Sequence, residues 1–230
     1  MYRRVLLKIS GEALSSEHSV ICRETIQTTV SHLKTVRQKG VEIGVVVGGG
    51  NIMRGRSADK MERNRADHMG MLATAINALA LQDALEQAGI PCVVQSAVDM
   101  ERFCDSFSAR SARQALSDGK IVVFACGSGC PFFSTDTAAA LRAAEIGADA
   151  LLLAKNVDAI YSADPKKDPS AVRYSKISYD RVVAENLRAT DLTAITLCKE
   201  QNIPIRVFAL DQIEEIFEND LIGTHISNEN

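Results

Sequence analysis

The sequence predicts a single α/β domain, a three-layer sandwich in which helices cover both faces of a mainly parallel sheet. Short apolar runs alternate with longer stretches of helical periodicity, which is typical of strand–helix–strand units. Two strand candidates, 45–47 and 151–153, are apolar at every position, as expected for strands that are buried on both faces. No linker rich in Gly, Ser or Pro divides the chain, so residues 1–230 are assigned to one domain.

The predicted elements follow one another in a regular order. Strand 5–9 comes first, and the helix over 24–39 ends at Gly40, a residue typical of helix ends. The later elements are strand 41–47, helix 69–88, strand 92–97, helix 109–116, strand 121–125, helix 136–146, strand 150–153, a helical segment and strand 203–209. The least regular stretch, 161–177, is expected to wrap an edge of the domain.

Composition excludes several classes of protein. The 230 residues include 26 Lys and Arg against 29 Asp and Glu, a net charge of −3 that argues against a general nucleic-acid binder. The longest largely apolar stretch, 69–81, is too short to cross a bilayer, and no signal peptide is evident. We therefore expect a cytoplasmic protein without a membrane partner. The six cysteines form no CxxC pair and no Cys/His cluster with zinc spacing, so no metal-ligating residue is predicted.

Ligands of parallel sheets bind beyond the carboxyl ends of the strands, so the residues there are the candidates for chemistry. Lys8 lies near the end of the first predicted strand, and Gly11 opens the turn that follows. A lysine in that place can hold a positive charge against a phosphate. On these two residues alone, a lysine that reaches solvent and a turn glycine is the simpler interpretation.

Three adjacent glycines, Gly48 to Gly50, follow the second predicted strand, and Arg54 comes shortly after. Ordering glycine is entropically unfavourable, so such a run is typical of backbone that approaches a ligand closely and points N–H groups at an anion. Arg54 can add a fork of donors to the same phosphates. A flexible turn is the alternative, but a two-residue turn needs no third glycine.

The segment 126–136 leads from strand 121–125 into a helix that Ser134 or Thr135 can cap. The free N–H groups at such a helix start suit a phosphate. Asp136 in the first turn has the simpler role of complementing the helix dipole, although it can also orient a lysine or a metal–nucleotide complex. Asp67, at the start of an earlier helix, can cap that helix or accept from a sugar hydroxyl.

Together, the three glycine-bearing loops indicate a surface that clamps more than one phosphate group. Two common nucleotide-binding motifs are missing from the sequence. The pattern GxxxxGK[ST] is absent, which excludes a P-loop NTPase, and no complete GxGxxG follows a strand.

Six segments, in order over nearly the whole chain, carry a more specific signal. They are 8–14, 48–51 with Arg54 and Gly55, 66–71, 127–129 with 131–136, 157–158, and 161–165. These segments resemble bacterial uridylate (UMP) kinases of the amino acid kinase superfamily. The segments 66–71 and 131–136 are much more specific for that family than the lysine strand and the triple glycine.

The resemblance implies an amino acid kinase-like fold and transfer of a phosphoryl group from ATP to UMP with Mg²⁺, giving UDP and ADP in pyrimidine nucleotide (CTP) biosynthesis. It implies that Lys8 contacts the transferring group, that Arg54 binds phosphate beside it, and that Asp136 organises the catalytic lysine. The implied ATP contacts are Lys8, Ile9, Ser10, Gly11, Gly50, Arg54, Asn156, Tyr161 and Asp164, with Lys155 as the alternative to Asn156 beside the adenine. The implied UMP contacts are Gly49, Asp67 at the ribose, Ser128, Gly129, Cys130, Pro131, Phe132, Phe133, Ser134 and Thr135. Cys130 stands where the family often has Asn.

The resemblance further implies a homohexamer that UTP inhibits and that GTP activates in many members. It implies that catalysis requires no nucleic acid, and we expect Mg²⁺ to be held mainly by phosphate and water. Another amino acid kinase, acting on glutamate, acetylglutamate, aspartate or carbamate, would share Lys8, the glycine loops and Asp136. The pair Phe132-Phe133 favours a nucleobase pocket over a small amino acid, unless both rings are core. A non-catalytic nucleotide-binding module and a Rossmann oxidoreductase are the remaining alternatives.

Overall fold

A nine-stranded sheet forms the centre of the protein in the computed structural model, which describes residues 2–53, 61–165, 167–187 and 190–228. The described strands are β1 (Arg4–Ile9), β2 (Glu42–Val47), β3 (Cys92–Ser96), β4 (Asp105–Ser106), β5 (Ile121–Ala125), β6 (Ala150–Lys155), β7 (Ile160–Tyr161), β8 (Arg173–Tyr174), β9 (Lys176–Ser178), β10 (Ile205–Ala209) and β11 (Thr224–Ser227). The described α-helices are α1 (Arg23–Gln38), α2 (Arg63–Gln87), α3 (Ala109–Ser117), α4 (Thr135–Ile146), α5 (Tyr179–Ala184) and α6 (Leu192–Glu200).

The strand order in the sheet is β4-β3-β5-β2-β1-β6-β10-β11-β9. Neighbouring strands run parallel, except that β10 and β11 are antiparallel. The short strands β7 and β8 form a separate antiparallel pair. The strands β5, β2, β1 and β6 are therefore neighbours at the centre, and their carboxyl ends meet at one edge of the sheet.

Two hydrophobic layers cover the sheet, one on each face. On one face Leu7 of β1 packs in a cluster with Leu33 of α1 and Leu81 of α2. On the other face Leu6 packs with Ala143 of α4 and with residues of α3, α5 and α6. Successive strand side chains point to opposite faces, so Lys8 lies on the same face as Leu6 and α4. The predicted single-domain, three-layer α/β fold is confirmed.

The main difference from the predicted elements is the start of α2, which begins at Arg63 and not at residue 69. The side chain of Glu62 accepts hydrogen bonds from the backbone N–H groups of Asn64 and Arg65, at 3.0 Å each, and so caps a polar first turn. Among the described helices, none is long and apolar enough to span a membrane.

Candidate active site

The site centres on the carboxylate of Asp136, which contacts two lysines from neighbouring strands. Asp136 Oδ1 lies 2.8 Å from Nζ of Lys8 on β1, and Oδ2 lies 2.6 Å from Nζ of Lys155 at the end of β6. Thr190 Oγ1 donates to Oδ2 at 2.9 Å. Lys8 and Asp136 are only 8% and 9% exposed. A single buried carboxylate therefore fixes two ammonium groups at the edge of the sheet.

The charges of this cluster shift its pKa values in defined directions. Burial alone would raise the pKa of Asp136, but the adjacent Lys8 and Lys155 outweigh it and hold that pKa well below its usual range. Burial lowers the pKa of Lys155, an effect that Asp136 opposes and Lys8 reinforces. Asp136 is thus ionised at neutral pH and pairs with two lysines, whose ammonium groups are suited to bind phosphate.

Asp136 is held in place through the first turn of α4. The Ser134 hydroxyl caps the helix by accepting from the backbone N–H groups of Asp136 and Thr137, both at 3.1 Å. Ser134 and Thr137 in turn donate to the two carboxylate oxygens of Asp191, the Thr137 bond being 2.8 Å long. Asp191 also caps α6 by accepting from the backbone N–H of Ala194 at 2.8 Å. One carboxylate thereby joins the starts of two helices beside the cluster.

The triple-glycine loop after β2 packs directly against α2. A Cβ atom on Gly49 would lie 2.8 Å from the carbonyl oxygen of Gly70 and 2.9 Å from Cβ of Ala73. A Cβ atom on Gly11, which lies beside this loop, would lie 2.8 Å from the carbonyl oxygen of Gly48 and 2.1 Å from Oδ1 of Asn51. These contacts are closer than real Cβ atoms tolerate. Close packing within the protein therefore already requires glycine at both positions, before any ligand is considered.

Two buried polar side chains of α2 connect the loops around the site. Asn77 is fully buried, and its Nδ2 donates to the Gly48 carbonyl at 2.7 Å and to Asn51 Oδ1 at 2.8 Å. Thr74 Oγ1 accepts from the backbone N–H of Cys126 at 2.8 Å. Helix α2 thus holds the loop after β2 and the loop after β5 in a fixed relation.

A cavity of about 380 Å³ lies between these loops and α2. The predicted UMP contacts that line it are Gly49, Asp67, Ser128, Cys130, Phe133, Ser134 and Thr135. Gly50, predicted as an ATP contact, lines it too. Gly129, Pro131 and Phe132 belong to the same loop but are not part of this lining, and Phe132 is 60% exposed.

A second cavity, of about 710 Å³, has one lysine of the cluster in its wall. Its lining includes Lys155 together with two predicted ATP contacts, Tyr161 and Asp164. A third, Asn156, is outside the lining and donates through Nδ2 to Glu12 Oε2 at 2.8 Å. Since Lys155 lines this cavity while Thr135, next to Asp136, lines the first, the cluster adjoins both.

The other predicted ATP contacts lie at or beyond the end of β1. Ile9 is fully buried, and its carbonyl accepts from the backbone N–H of Gly48 at 2.9 Å. Ser10 and Gly11 follow it and lead into a short 3₁₀ helix. Arg54 lies outside the described residues, so its predicted phosphate contact stays a prediction.

Comparison with known proteins assigns the family. The amino acid kinase family profile matches residues 3–209. The chain belongs to the amino acid kinase family. A UMP kinase from Bacillus anthracis has a similar structure, with a TM-score of 0.96 and 33% identity over 100% of this chain and 97% of that one. A UMP kinase from Ureaplasma parvum has a TM-score of 0.92 and 35% identity over 99% of each chain. A uridylate kinase from Archaeoglobus fulgidus has a TM-score of 0.74 and 29% identity over 97% of this chain and 99% of that one.

Several residues of the site in this amino acid kinase fold were not predicted from the sequence. Lys155 and Thr190, which contact Asp136, were not among the predicted catalytic residues. Lys155 ends a strand next to β1, so applying the carboxyl-end rule to β6 would have indicated it. Thr74 and Asn77 interrupt an apolar helical stretch, and a buried polar side chain in such a stretch requires a hydrogen-bond partner.

Proposed function

We propose that this protein is a UMP kinase, which transfers the γ-phosphoryl group of ATP to UMP and so serves pyrimidine nucleotide (CTP) synthesis. The observation that supports this most directly is the Lys8–Asp136–Lys155 cluster, since it adjoins two cavities in one small domain. Phosphoryl transfer between two nucleotides requires two neighbouring sites with positive charge between them. The 33% identity to a UMP kinase along the whole chain supports UMP as the acceptor.

In this proposal, UMP occupies the smaller cavity and the ATP adenosine occupies the larger one. Asp67 accepts from the UMP ribose, and the segment 128–135 encloses the rest of the nucleotide. Tyr161 and Asp164 flank the adenosine, with Asn156 as a neighbour. The glycine loop and the end of β1 lie along the phosphates.

The reaction needs positioning and charge stabilisation, and it needs no strong base. A phosphate oxygen of UMP forms a new bond to the γ-phosphorus, and the bond from that phosphorus to the β,γ-bridging oxygen breaks, its electron pair leaving with ADP. The attacking oxygen is already anionic, so no proton has to be removed. Lys8 and Lys155 stabilise the negative charge that shifts during transfer, while Asp136 fixes their positions. Arg54 adds a further cation in this proposal.

The residues of the site fit a Mg²⁺ ion that arrives with ATP. In the described part of the chain, no group of three His, Cys, Asp or Glu side chains is placed to hold a metal. Asp136 already pairs with two lysines, so phosphate oxygens and water are the ligands that remain. When bound, Mg²⁺ neutralises phosphate charge and orients the triphosphate.

A homohexamer in the cytoplasm, inhibited by UTP and activated by GTP, completes the proposal. Helix α2 supports self-association because it exposes Met69, Leu72 and Ile76, which are 41%, 55% and 50% exposed. These side chains form one apolar stripe, since their spacing places them on the same side of the helix. Sedimentation velocity tests the assembly, and initial rates with added UTP or GTP test the regulation.

The experiment that tests the function measures ADP release from Mg·ATP with a panel of acceptors: UMP, CMP, dUMP, glutamate, acetylglutamate, aspartate and carbamate. We expect the highest kcat/KM with UMP and no turnover with the amino acids or carbamate. Turnover on an amino acid or carbamate instead would overturn the UMP assignment while keeping the kinase chemistry. ATP binding without turnover on any acceptor would indicate a non-catalytic nucleotide-binding module.

A further inference from the structure

Arg63, in the first turn of α2, joins two parts of the smaller cavity that are distant in the sequence. Its Nε lies 2.7 Å from Oδ2 of Asp67, one helical turn further along. The same oxygen accepts the backbone N–H of Phe132 at 2.8 Å. The Arg63 guanidinium carbon also lies 5.5 Å from the centre of the Phe132 ring, within the range of a cation–π interaction. Arg63 therefore contacts both the carboxylate and the loop that the carboxylate holds.

The backbone at Phe132 is in an unfavourable conformation. Its φ angle is +72°, in the left-handed region that side chains other than those of Gly, Asn and Asp rarely adopt. Burial does not compensate, because the residue is 60% exposed. Two contacts from α2 reach Phe132 itself: the Phe132 N–H donates to Asp67, and the Arg63 guanidinium lies over the ring.

The loop conformation matters to the cavity because the next residue, Phe133, forms part of its wall. Asp67 forms another part of that wall, and its side chain is only 13% exposed. A mostly buried carboxylate that is fixed by a guanidinium is a rigid acceptor for hydroxyl groups. The ribose of a ribonucleotide presents such hydroxyls, and a 2′-deoxyribose lacks one of them.

We propose that Arg63 is a positioning residue for the acceptor nucleotide: it fixes Asp67 for the ribose and clamps the loop at Phe132 against α2. This inference rests on the proposed UMP kinase function. Arg63 acts through Asp67 and Phe132, so it governs how tightly and how selectively the acceptor binds. The rate of phosphoryl transfer once both nucleotides are bound depends on the lysine cluster and not on Arg63.

Steady-state kinetics of the full chain test this inference. For Arg63→Ala we expect the KM for UMP to rise about tenfold, with kcat within about threefold and the KM for ATP within about twofold. The preference for UMP over dUMP in kcat/KM falls as well, because Asp67 is no longer fixed. Arg63→Lys restores part of that preference, since an ammonium group can pair with Asp67 but cannot stack as a guanidinium does.

A second variant separates the two contacts of Arg63. Phe132→Gly removes the ring and accepts a positive φ without strain. We expect it to raise the KM for UMP while the preference for UMP over dUMP stays, because Arg63 still pairs with Asp67. Arg181→Ala is the matched control, because Arg181 makes the same two kinds of contact on a different helix, α5. It pairs with Glu185 one turn away at 2.5 Å, and its guanidinium lies 4.9 Å from the centre of the Tyr174 ring. Its KM for UMP should equal that of the unsubstituted protein.

Several outcomes would overturn the inference. A KM for UMP within twofold of the unsubstituted protein in Arg63→Ala would exclude a positioning role. A parallel rise in the KM values for UMP and ATP, together with a lower melting temperature, would show a purely structural role. Equal kcat/KM on UMP and dUMP in the unsubstituted protein would overturn the ribose contact. An unsubstituted protein that does not phosphorylate UMP would overturn the proposed function and this inference together, which distinguishes that failure from the others.

Discussion

The ammonium group of Lys155 lies 2.6 Å from Oδ2 of Asp136, while Lys8 occupies the other carboxylate oxygen at 2.8 Å. The two lysines come from adjacent parallel strands, and 147 positions of sequence separate them. The structure therefore places on one carboxylate a cation that was predicted to be catalytic and a second one that was not. The chemistry of the site depends on both.

Replacing Lys155 tests whether the second cation contributes to the reaction. We expect Lys155→Ala to lower kcat about 100-fold, since one fixed charge at a developing negative charge contributes an effect of this order. The KM for UMP should change by less than about threefold, because Lys155 lines the other cavity. The matched control is Lys199→Ala, which removes a lysine that pairs with Asp180 at the surface. A Lys155→Ala enzyme with kcat within twofold of the unsubstituted protein would contradict a role in transfer.

The ion cluster also predicts how stability depends on pH. The folded-state pKa of Asp136 is depressed, so its stabilising effect is fully present above the unfolded pKa of about 4 and is lost as pH falls below it. Asp136→Asn leaves two lysines without their carboxylate and should lower the free energy of unfolding by about 3 kcal/mol at neutral pH. Urea denaturation at a series of pH values should show this difference shrinking below about pH 4. A difference that stays constant into that acid range would contradict the depressed pKa.

The contact of the glycine loop with α2 predicts opposite effects of two Gly→Ala substitutions. Gly49→Ala forces a methyl group within 2.8 Å of the Gly70 carbonyl, so we expect a loss of about 1–3 kcal/mol in stability and weaker nucleotide binding. Gly70→Ala adds a methyl group with no atom within 4 Å, inside a helix, and should raise stability by about 1 kcal/mol. Urea denaturation of both variants checks this. Equal stabilities for the two would show that the loop does not pack on α2 as described.

Two serine caps separate helix stability from catalysis. Ser134→Ala removes the cap of α4 beside Asp136. Ser108→Ala removes the cap of α3, where the Ser108 hydroxyl accepts from the Ser111 N–H at 3.1 Å, and α3 carries no residue of the lysine cluster. Each should lower the free energy of unfolding by about 1 kcal/mol. Only Ser134→Ala should also lower kcat, because it loosens the turn that carries Asp136. A similar fall in kcat for both variants would indicate a general effect of lost stability.

The sequence predicted the sheet and most of its long helices because these elements carry strong local signals. The buried strand β5 was predicted with the bounds that the structure gives it, since all five of its residues are apolar. The start of α2 was missed because its first turn, from Arg63 to Ala66, is mainly polar and lacks an apolar stripe. Strands β4, β7, β8, β9 and β11 have two to four residues each, too few for a period of two to stand out.

The candidate site was predicted less completely than the fold. Lys8 and Asp136 were indicated by their places beyond strand ends and by the family resemblance, and the family itself is confirmed by the comparisons. Lys155 was not predicted to be catalytic, although its place at the end of a strand next to β1 indicates it. Thr190 and Arg63 were not selected, because their contacts with Asp136 and Phe132 join residues far apart in the chain. Such contacts depend on strand order and on the loop shape at Phe132, which a single sequence does not reveal.

The proposed UMP kinase activity and the role of Lys8 are tested together by the initial rate of UDP formation from UMP and Mg·ATP, measured for the unsubstituted protein and for Lys8→Ala. We predict rapid UDP formation by the unsubstituted protein and a loss of about 100-fold or more in kcat for Lys8→Ala, with the KM for UMP changed by less than about threefold. The KM should change little because the charge of Lys8 matters most as negative charge shifts in the transition state. The absence of UDP formation by the unsubstituted protein would overturn the proposed UMP kinase function. A near-normal kcat for Lys8→Ala would exclude a role for Lys8 in phosphoryl transfer.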